Sequence, residues 1–461
     1  MITTAPIMNL EKIGKYRWTI CAMLFFATTI NYLDRQVLSL LQPLLAEEFG
    51  WSNSDYANIA AAFQFVYAIS MLFAGRLIDR VGTKWGFALA LIIWSVGAIL
   101  HAYAVNIGTL FTPLAALLGF STVSVSVLGF IIARAVLGFG ESGNFPAAIK
   151  TTAEYFPKKE RSFATGIFNS GSNVGAILAP LTVPWIASHW GWEFTFWIIG
   201  AIGFIWLIFW FMFYEIPSKQ KRLSKAEYDY IHSDVEPVLE SDSTEAAEKV
   251  SWFRLLGFKQ TWSFAFGKFM TDGVWWFFLF WLPAYLKAQY GMVGTDIMLP
   301  IAVLYSMTMV GSIGGGYFPT YFINKGYKPY DGRMRAMFVI ALIPLVVLAA
   351  QPLGHISFWF PVILIGIGAS AHQAWSANIF TTVSDMFPKK SVASVTGIGG
   401  MAGGLGGVAM TKLGGYIFDK YEALGDLQTG YTIMFAICAV AYVIAWAVMK
   451  ALVPRMKAVE I

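Results

Sequence analysis

Asp34 and Arg35, Arg134 and Glu141, and Lys268 and Asp272 stand inside long apolar stretches of this chain. An ionisable group at the depth of a membrane costs several kcal/mol unless it is paired or wet, so each of these six is a functional candidate. Arg134 and Glu141 are seven residues apart, close to two helical turns, and share one helix face. Lys268 and Asp272 are at a spacing of four, which permits an ion pair on one face. Arginine offers a planar fork that suits the carboxylate of a substrate. Buried carboxylates beside arginines can exchange protons, because burial opposes their charge and the arginines favour it. An anion that draws an arginine away from its acid partner then couples anion uptake to proton uptake. The bland alternative is a charge network that only holds two helices together, with Arg35 and Arg134 as counter-ions.

Polar and aromatic residues at similar depth fill out a cavity. They are Tyr67, the i, i+4 pair Asn169 and Asn173, the group Trp275, Trp276 and Phe280, and the run His372-Gln373-Ala374-Trp375-Ser376-Ala377-Asn378. Aromatic faces with amides suit a polyol or sugar ring. A tryptophan at such a site is also at home facing lipid or packing, and His372 serves equally as a satisfied core histidine.

These residues need membrane helices to hold them. Of 461 residues, 57% are hydrophobic and 13% charged, and the net charge is +5. That charge is too sparse to coat a soluble protein of this length. A helix crosses the hydrocarbon layer with about 20 apolar residues. Twelve segments qualify: 18–40, 56–78, 85–106, 121–147, 162–188, 193–214, 260–286, 297–322, 334–351, 357–384, 392–415 and 428–450. The apolar, Pro-interrupted stretch 107–120 is expected to form a long external loop. With both termini in the cytoplasm, all but six of the 32 Lys and Arg fall on the inner side. The exceptions are Lys287 and Lys420 outside, and Arg35, Arg134, Lys268 and Lys412 within spans. This distribution follows the positive-inside rule. The first apolar run continues past any cleavage site and reads as a retained span. Cys21 and Cys438 lie near opposite ends of the chain, with no metal-ligand or disulfide spacing.

Tyr155-Phe156-Pro157-Lys158-Lys159 and Met386-Phe387-Pro388-Lys389-Lys390 share FPKK at an offset of 231. Thr165-Gly166-Ile167 matches Thr396-Gly397-Ile398 at the same offset. The chain therefore divides into a six-helix bundle over 1–214, a cytoplasmic linker over 215–259 and a second six-helix bundle over 260–461. Two parallel repeats can rock about a central site and expose it to each side in turn. The linker's charge run reads as a solvated face. No Ser/His/Asp grouping, HExxH motif or phosphate-binding glycine loop is present, so the chain is not expected to be an enzyme or to use a nucleotide.

Residues 75–84, GRLIDRVGTK, resemble the signature loop of the major facilitator superfamily, with Thr83 where a basic residue is common. NYLDRQVLS, RAVLGFGESGNFPAA and FNSGSNVGAILAPL resemble the anion:cation symporter family. KFMTDGVWWFFLFWLPAYL and HQAWSANIFTTVSDMFPKK resemble its bacterial hexuronate transporters, although Gly273 stands where that subgroup has proline. The resemblance implies an all-α integral membrane protein of twelve transmembrane helices in two bundles, set in the bacterial inner membrane. It implies symport of an organic anion with protons, a galacturonate- or glucuronate-like sugar acid; the alternatives are an aldonate, glucarate or other carboxylate as substrate, or a transport-inactive membrane sensor. Asp34 and Glu141 then match the proton-coupling acids, and Arg35 and Arg134 the substrate-carboxylate and charge-relay arginines. Tyr32, Tyr67, Asn169 and Asn173 match cavity groups, and Gly75, Asp79 and Arg80 match gating residues. The expected partners are a small organic anion, protons and the bilayer. No metal, cofactor or nucleic acid is expected, and the chain is expected to act as a monomer driven by the proton gradient.

Overall fold

The computed structural model describes residues 13–119, 122–233, 252–457 and 459. Among them, twelve long helical runs follow one another. They are α1 (Tyr16–Phe49), α2 (Asn53–Val81), α3 (Thr83–Leu117), α4 (Val125–Tyr155), α5 (Lys158–Trp190) and α6 (Trp192–Phe213). After the linker come α7 (Lys259–Tyr290), α8 (Gly294–Asn324), α9 (Tyr330–Gly354), α10 (Trp359–Met386), α11 (Lys389–Ala423) and α12 (Leu427–Leu452). Seven of them, α2, α3, α4, α6, α8, α9 and α12, are long and apolar enough to cross a membrane. The other five, α1, α5, α7, α10 and α11, carry interior charges, amides or runs of glycine. They hold most of the residues singled out above.

The FPKK repeat has a structural meaning. A proline pushes the residue before it out of the helical region. Phe156 and Phe387 are accordingly extended, at φ −129°, ψ 136° and φ −113°, ψ 144°. The proline ends α4 at Tyr155 and α10 at Met386, and then opens α5 and α11 as their N-caps. One local sequence thus builds the same turn twice.

Two expectations change. Residues 107–117 are helix, not loop: a 3₁₀ turn at His101–Tyr103 carries α3 on through Ala104–Leu117. Pro113 does not stop it, and the hydroxyls of Thr109 and Thr112 donate to the Val105 and Gly108 carbonyls. This arm lies against α4 so closely that a Cβ on Gly108 would strike the Val125 carbonyl, and one on Gly129 the Ala104 carbonyl. Its outer face exposes Leu110, Leu114 and Leu117. The linker is also more than a solvated charge run. A short helix, Lys225–Ile231, presents the buried Glu227 to the start of α1, where it accepts the backbone N–H groups of Tyr16 and Arg17 at 3.1 and 3.0 Å. A carboxylate there satisfies orphan donors and suits the helix dipole. The Arg17 guanidinium closes on Glu227 and Glu160.

Within the first half α1 packs on α5, and α4 on α2 and α3. Within the second, α7 packs on α11 and α12, and α8 on α10. The halves meet chiefly along α2 and α11, with α5 against α8 and α1 against α7. This seam is closed at one end and open at the other. Asp419 of α11 accepts the N–H groups of Asn53 and Ser54 at 2.8 and 2.9 Å, capping α2 from the opposite half. Lys287 reaches Glu47 and the Pro43 carbonyl, and Lys412 bonds Asn58. Further along, a Cβ on Gly415 would meet Ala57, and one on Gly404 would meet Ala68. A Cβ on Gly400 would meet only Met71, at 3.7 Å, and the next positions on the two stripes, Gly75 and Gly397, face nothing within 4 Å. The halves therefore part toward the end that carries Arg76, Arg80 and Lys84.

Candidate functional site

Between the closed and open ends of the seam, α1 buries Asn31, Asp34, Arg35 and Gln36. It can do so because α5 presents Gly171 and Gly175, whose missing Cβ atoms leave room for the Phe25 and Thr29 carbonyls. Arg35 points to α4. There the helix breaks at Ser142-Gly143, immediately after Glu141. Arg35 Nε and Nη2 both donate to Glu141 Oε2, at 2.9 and 2.7 Å, and Nη2 also reaches Asn31 Oδ1 at 3.2 Å. The other carboxylate oxygen of Glu141 has no partner among the described residues.

The arginine is boxed by aromatic faces. The rings of Tyr32, Tyr67, Trp276 and Phe63 lie 4.6, 5.0, 5.3 and 5.4 Å from its guanidinium carbon. Such faces attract a cation through the ring quadrupole. Trp276 belongs to α7, so the box is closed by the opposite half. Arg134 lies alongside: its Nη2 donates to the Arg35 carbonyl at 3.1 Å, and Phe63 and Phe280 flank it at 5.3 and 5.8 Å. Its Nε, and both oxygens of the neighbouring Asp34, are buried without hydrogen-bond partners among the described residues. Two guanidiniums, two carboxylates and a ring of aromatics are thus gathered from α1, α2, α4 and α7. Their hydrogen-bonding capacity is only partly used.

Not every candidate from the sequence joins this cluster. Trp275 stacks on His372 at 5.0 Å, and His372 Nδ1 bonds the Tyr442 hydroxyl at 2.9 Å. Asn378 donates to the Gly315 and Ala374 carbonyls at 2.8 Å and is met by Arg333 at 3.5 Å. These groups are engaged inside the second half. Gln373, Ser376 and Asn173 are half-buried and Asn169 is exposed. None of the four hydrogen-bonds to the arginine–glutamate pair. Arg80 is exposed at the end of α2, Gly75 faces open space, and the side chain of Asp79 lies outside the described residues. A cavity of about 370 Å³ lies on the far side of the α4 break, lined by Arg76, Arg80, Gly140, Ser142 and Gly143 among others, and neither Arg35 nor Arg134 reaches it.

Some contributors escape a reading of the sequence. Phe63 sits between both arginines but is one phenylalanine among many in the apolar runs. Gln64 donates to Thr411 across the seam at 3.0 Å. Polarity inside an apolar stretch marks both Gln64 and Thr411, though not their pairing. Among the described residues no cluster of three or more His, Cys, Asp or Glu could hold a metal ion.

Comparison with known proteins bears on what this arrangement serves. Residues 24–411 match the Major Facilitator Superfamily. The chain is 30% identical over 453 residues to the hexuronate transporter of Escherichia coli (strain K12), covering 98% of this chain and 97% of that one. It is 30% identical over 360 residues to the galacturonate transporter of Dickeya chrysanthemi, covering 78% of this chain and 96% of that one. The crystal structure of a D-xylose-proton symporter superposes with a TM-score of 0.72 at 14% identity, covering 96% of this chain and all of that one. With its apolar helices, its two packed halves and this span of similarity, the chain belongs to the Major Facilitator Superfamily and is a multi-pass membrane transporter.

Proposed function

We propose that the protein takes up a sugar-acid anion, a hexuronate such as galacturonate or glucuronate, in symport with protons. All twelve long helical runs cross the bacterial inner membrane as two six-helix bundles. Both termini are cytoplasmic, so the closed end of the seam faces outward and the parted end inward. The observation that carries this reading is Arg35. It is a guanidinium held by a single oxygen of Glu141 in an aromatic box shared by both halves. A substrate carboxylate can replace Glu141 on the fork, since carboxylate and guanidinium match edge to edge. Glu141, released, and Asp34, with neither oxygen bonded, then offer acceptors for protons. A pyranose ring meets the faces of Tyr67 and Trp276. Binding of anion and proton become linked because both compete for, or complete, the same few contacts.

The test is uptake of labelled galacturonate into proteoliposomes, with and without an inward pH gradient, competed by a panel of uronates, aldonates and aldarates. Accumulation against a gradient only when protons flow inward is expected, with uronates competing best. Asp34→Asn and Glu141→Gln are each expected to abolish accumulation. Normal concentrative uptake by both variants would refute the coupling.

A further inference from the structure

Lys268 and Asp272 of α7 form a second buried ion pair that the cluster around Arg35 does not use. Nζ and Oδ2 are 2.6 Å apart, and the side chains are 6% and 17% exposed. The pair does not join the halves, because both charges sit on one helix. Replacing such a pair with well-packed apolar residues of similar volume is often neutral or stabilising. Packing alone therefore gives no reason for a lysine and an aspartate at this depth.

Their position supplies one. Residues 268, 272 and 276 are at i, i+4 and i+8 and share one face of α7. Trp276, the last of them, touches the Arg35 guanidinium. Asp272 and Lys268 follow one and two turns on, a rise of about 6 and 12 Å toward the start of the helix. Asp272 lies against Gly403 of α11, where a Cβ would displace its carboxylate, and the Lys268 ammonium lies 4.3 Å from the Phe380 ring of α10. α7 and α11 run parallel, with Phe264 beside Gly399, Asp272 beside Gly403 and Trp276 beside Gly407. The pair is thus level with Gly400 and Gly403, the depth at which α2 and α11 begin to part.

We propose that Lys268 is a second anion-binding group on the substrate's path, next in line after Arg35 and occupied by Asp272 while the path is empty. This rests on the transport reading above. Lysine suits the role: its ammonium has three donors, of which Asp272 takes one, on a four-carbon stem that can swing. The carboxylate of a sugar acid leaving Arg35 displaces Asp272 from Lys268, and Asp272 takes the ammonium back when the anion leaves. No covalent bond forms and no proton need move. A sugar acid with a carboxylate at each end engages both cations at once, so Lys268 also bears on the choice between uronates and aldarates.

The experiment is counterflow in proteoliposomes, which needs no proton gradient, measured for galacturonate and glucarate with the wild type, Lys268→Gln, Asp272→Asn and the double variant. Loss of one charge-assisted contact raises the KM of Lys268→Gln by about tenfold or more, and by more for glucarate than for galacturonate. Asp272→Asn, which frees the ammonium, lowers KM. The neutral double variant folds without a lone buried charge and keeps the raised KM. Recovery of wild-type KM in the double variant would mark the pair as structural and overturn the proposal, as would an unchanged KM in Lys268→Gln. Absence of sugar-acid counterflow by the wild type would overturn the transport reading and this proposal with it. Wild-type counterflow with an insensitive Lys268 overturns this proposal alone.

Discussion

Arg35→Lys separates a substrate-binding arginine from a counter-ion, because it keeps the charge and removes the fork. Arg35 donates twice to one oxygen of Glu141 and once to Asn31, and its guanidinium carbon lies within 5.4 Å of four aromatic ring centroids. A lysine is shorter in reach and presents a point charge. It can keep one bond to a carboxylate and part of the attraction to the rings. If the guanidinium holds the substrate carboxylate by the same two donors, the variant loses one charge-assisted bond, about 1.5–3 kcal/mol. Poorer stacking in a desolvated box costs about 0.5–1 kcal/mol more. The sum is about 2–4 kcal/mol, which at 1.36 kcal/mol per decade lowers kcat/KM about 30- to 1,000-fold. The assay is initial-rate counterflow of galacturonate, with thermal melting and gel filtration to show that the variant is folded. A folded Arg35→Lys protein within about threefold of the wild type would refute the reasoning and leave Arg35 as a counter-ion to Glu141.

Two further outcomes test the frame around the site. Asp419→Asn weakens the cap that α11 places on α2: one N–H bond and the charge at the helix start are lost, about 1–2 kcal/mol together, which shifts the balance between conformations about 5- to 30-fold. Spin labels on cysteines placed at the exposed Glu193 and Leu424, with Cys21 and Cys438 too buried to label, should report a longer-distance population at that end, and an unchanged distance distribution would dismiss the cap as a clasp. The Glu215 carboxyl beyond α6 is held below its usual range by the hydrogen bond from Lys84 at 2.7 Å, so its contribution is present above its ordinary titration range and fades as pH falls through the lowered value. Glu215→Gln should therefore lower the melting temperature slightly at neutral pH and not in strong acid; a deficit that persists in acid would assign the loss to packing.

What could be read from the residues, and what could not, divides along one physical line. Interactions within a helix follow from spacing. Lys268 and Asp272 at i, i+4 do pair. Interactions between helices depend on registration, which spacing does not encode. Arg134 and Glu141 share a face of α4, yet seven residues of rise, about 10 Å, keep them apart. Glu141 pairs instead with Arg35 of α1, and Arg134 turns to the Arg35 carbonyl. The aromatic box shows the same limit: Tyr67 and Trp276 stand out in the sequence, and Phe63, which touches both arginines, does not. Pro113 misleads for a different reason. A proline is a sound loop signal in water, but an apolar helix arm packed on α4 and facing outward with leucines keeps its form around it. Glu227 is hidden in a charge run whose neighbours are solvated, and only the free N–H groups at the start of α1 single it out.

The two ends of the seam differ in kind, and that difference bears on how the site drives a cycle. The closed end is held by polar contacts near solvent, a carboxylate on a helix start, Lys287 on Glu47 and Lys412 on Asn58, and by the buried hydroxyl of Tyr56, which donates to the Phe280 carbonyl of the other half. When these part, water satisfies the freed groups, so each contributes only about 1–2 kcal/mol to keeping that end closed. The open end offers glycine stripes at Gly75 and Gly397 that can approach without clash once the halves tilt. The waist is a contact that solvent cannot replace cheaply, where Trp276 of one half lies over the Arg35 guanidinium of the other, and on the proposed function its strength depends on what Arg35 holds. While Glu141 holds the arginine, the guanidinium is fixed to the first half. On the proposed function, a substrate anion that takes the fork presents its ring to Trp276 and Tyr67 and tightens the waist, while Glu141 gains an unmet acceptor. On that proposal the exchange of partners that binds substrate also alters the contact between the halves, so one shared arginine ties occupancy to movement.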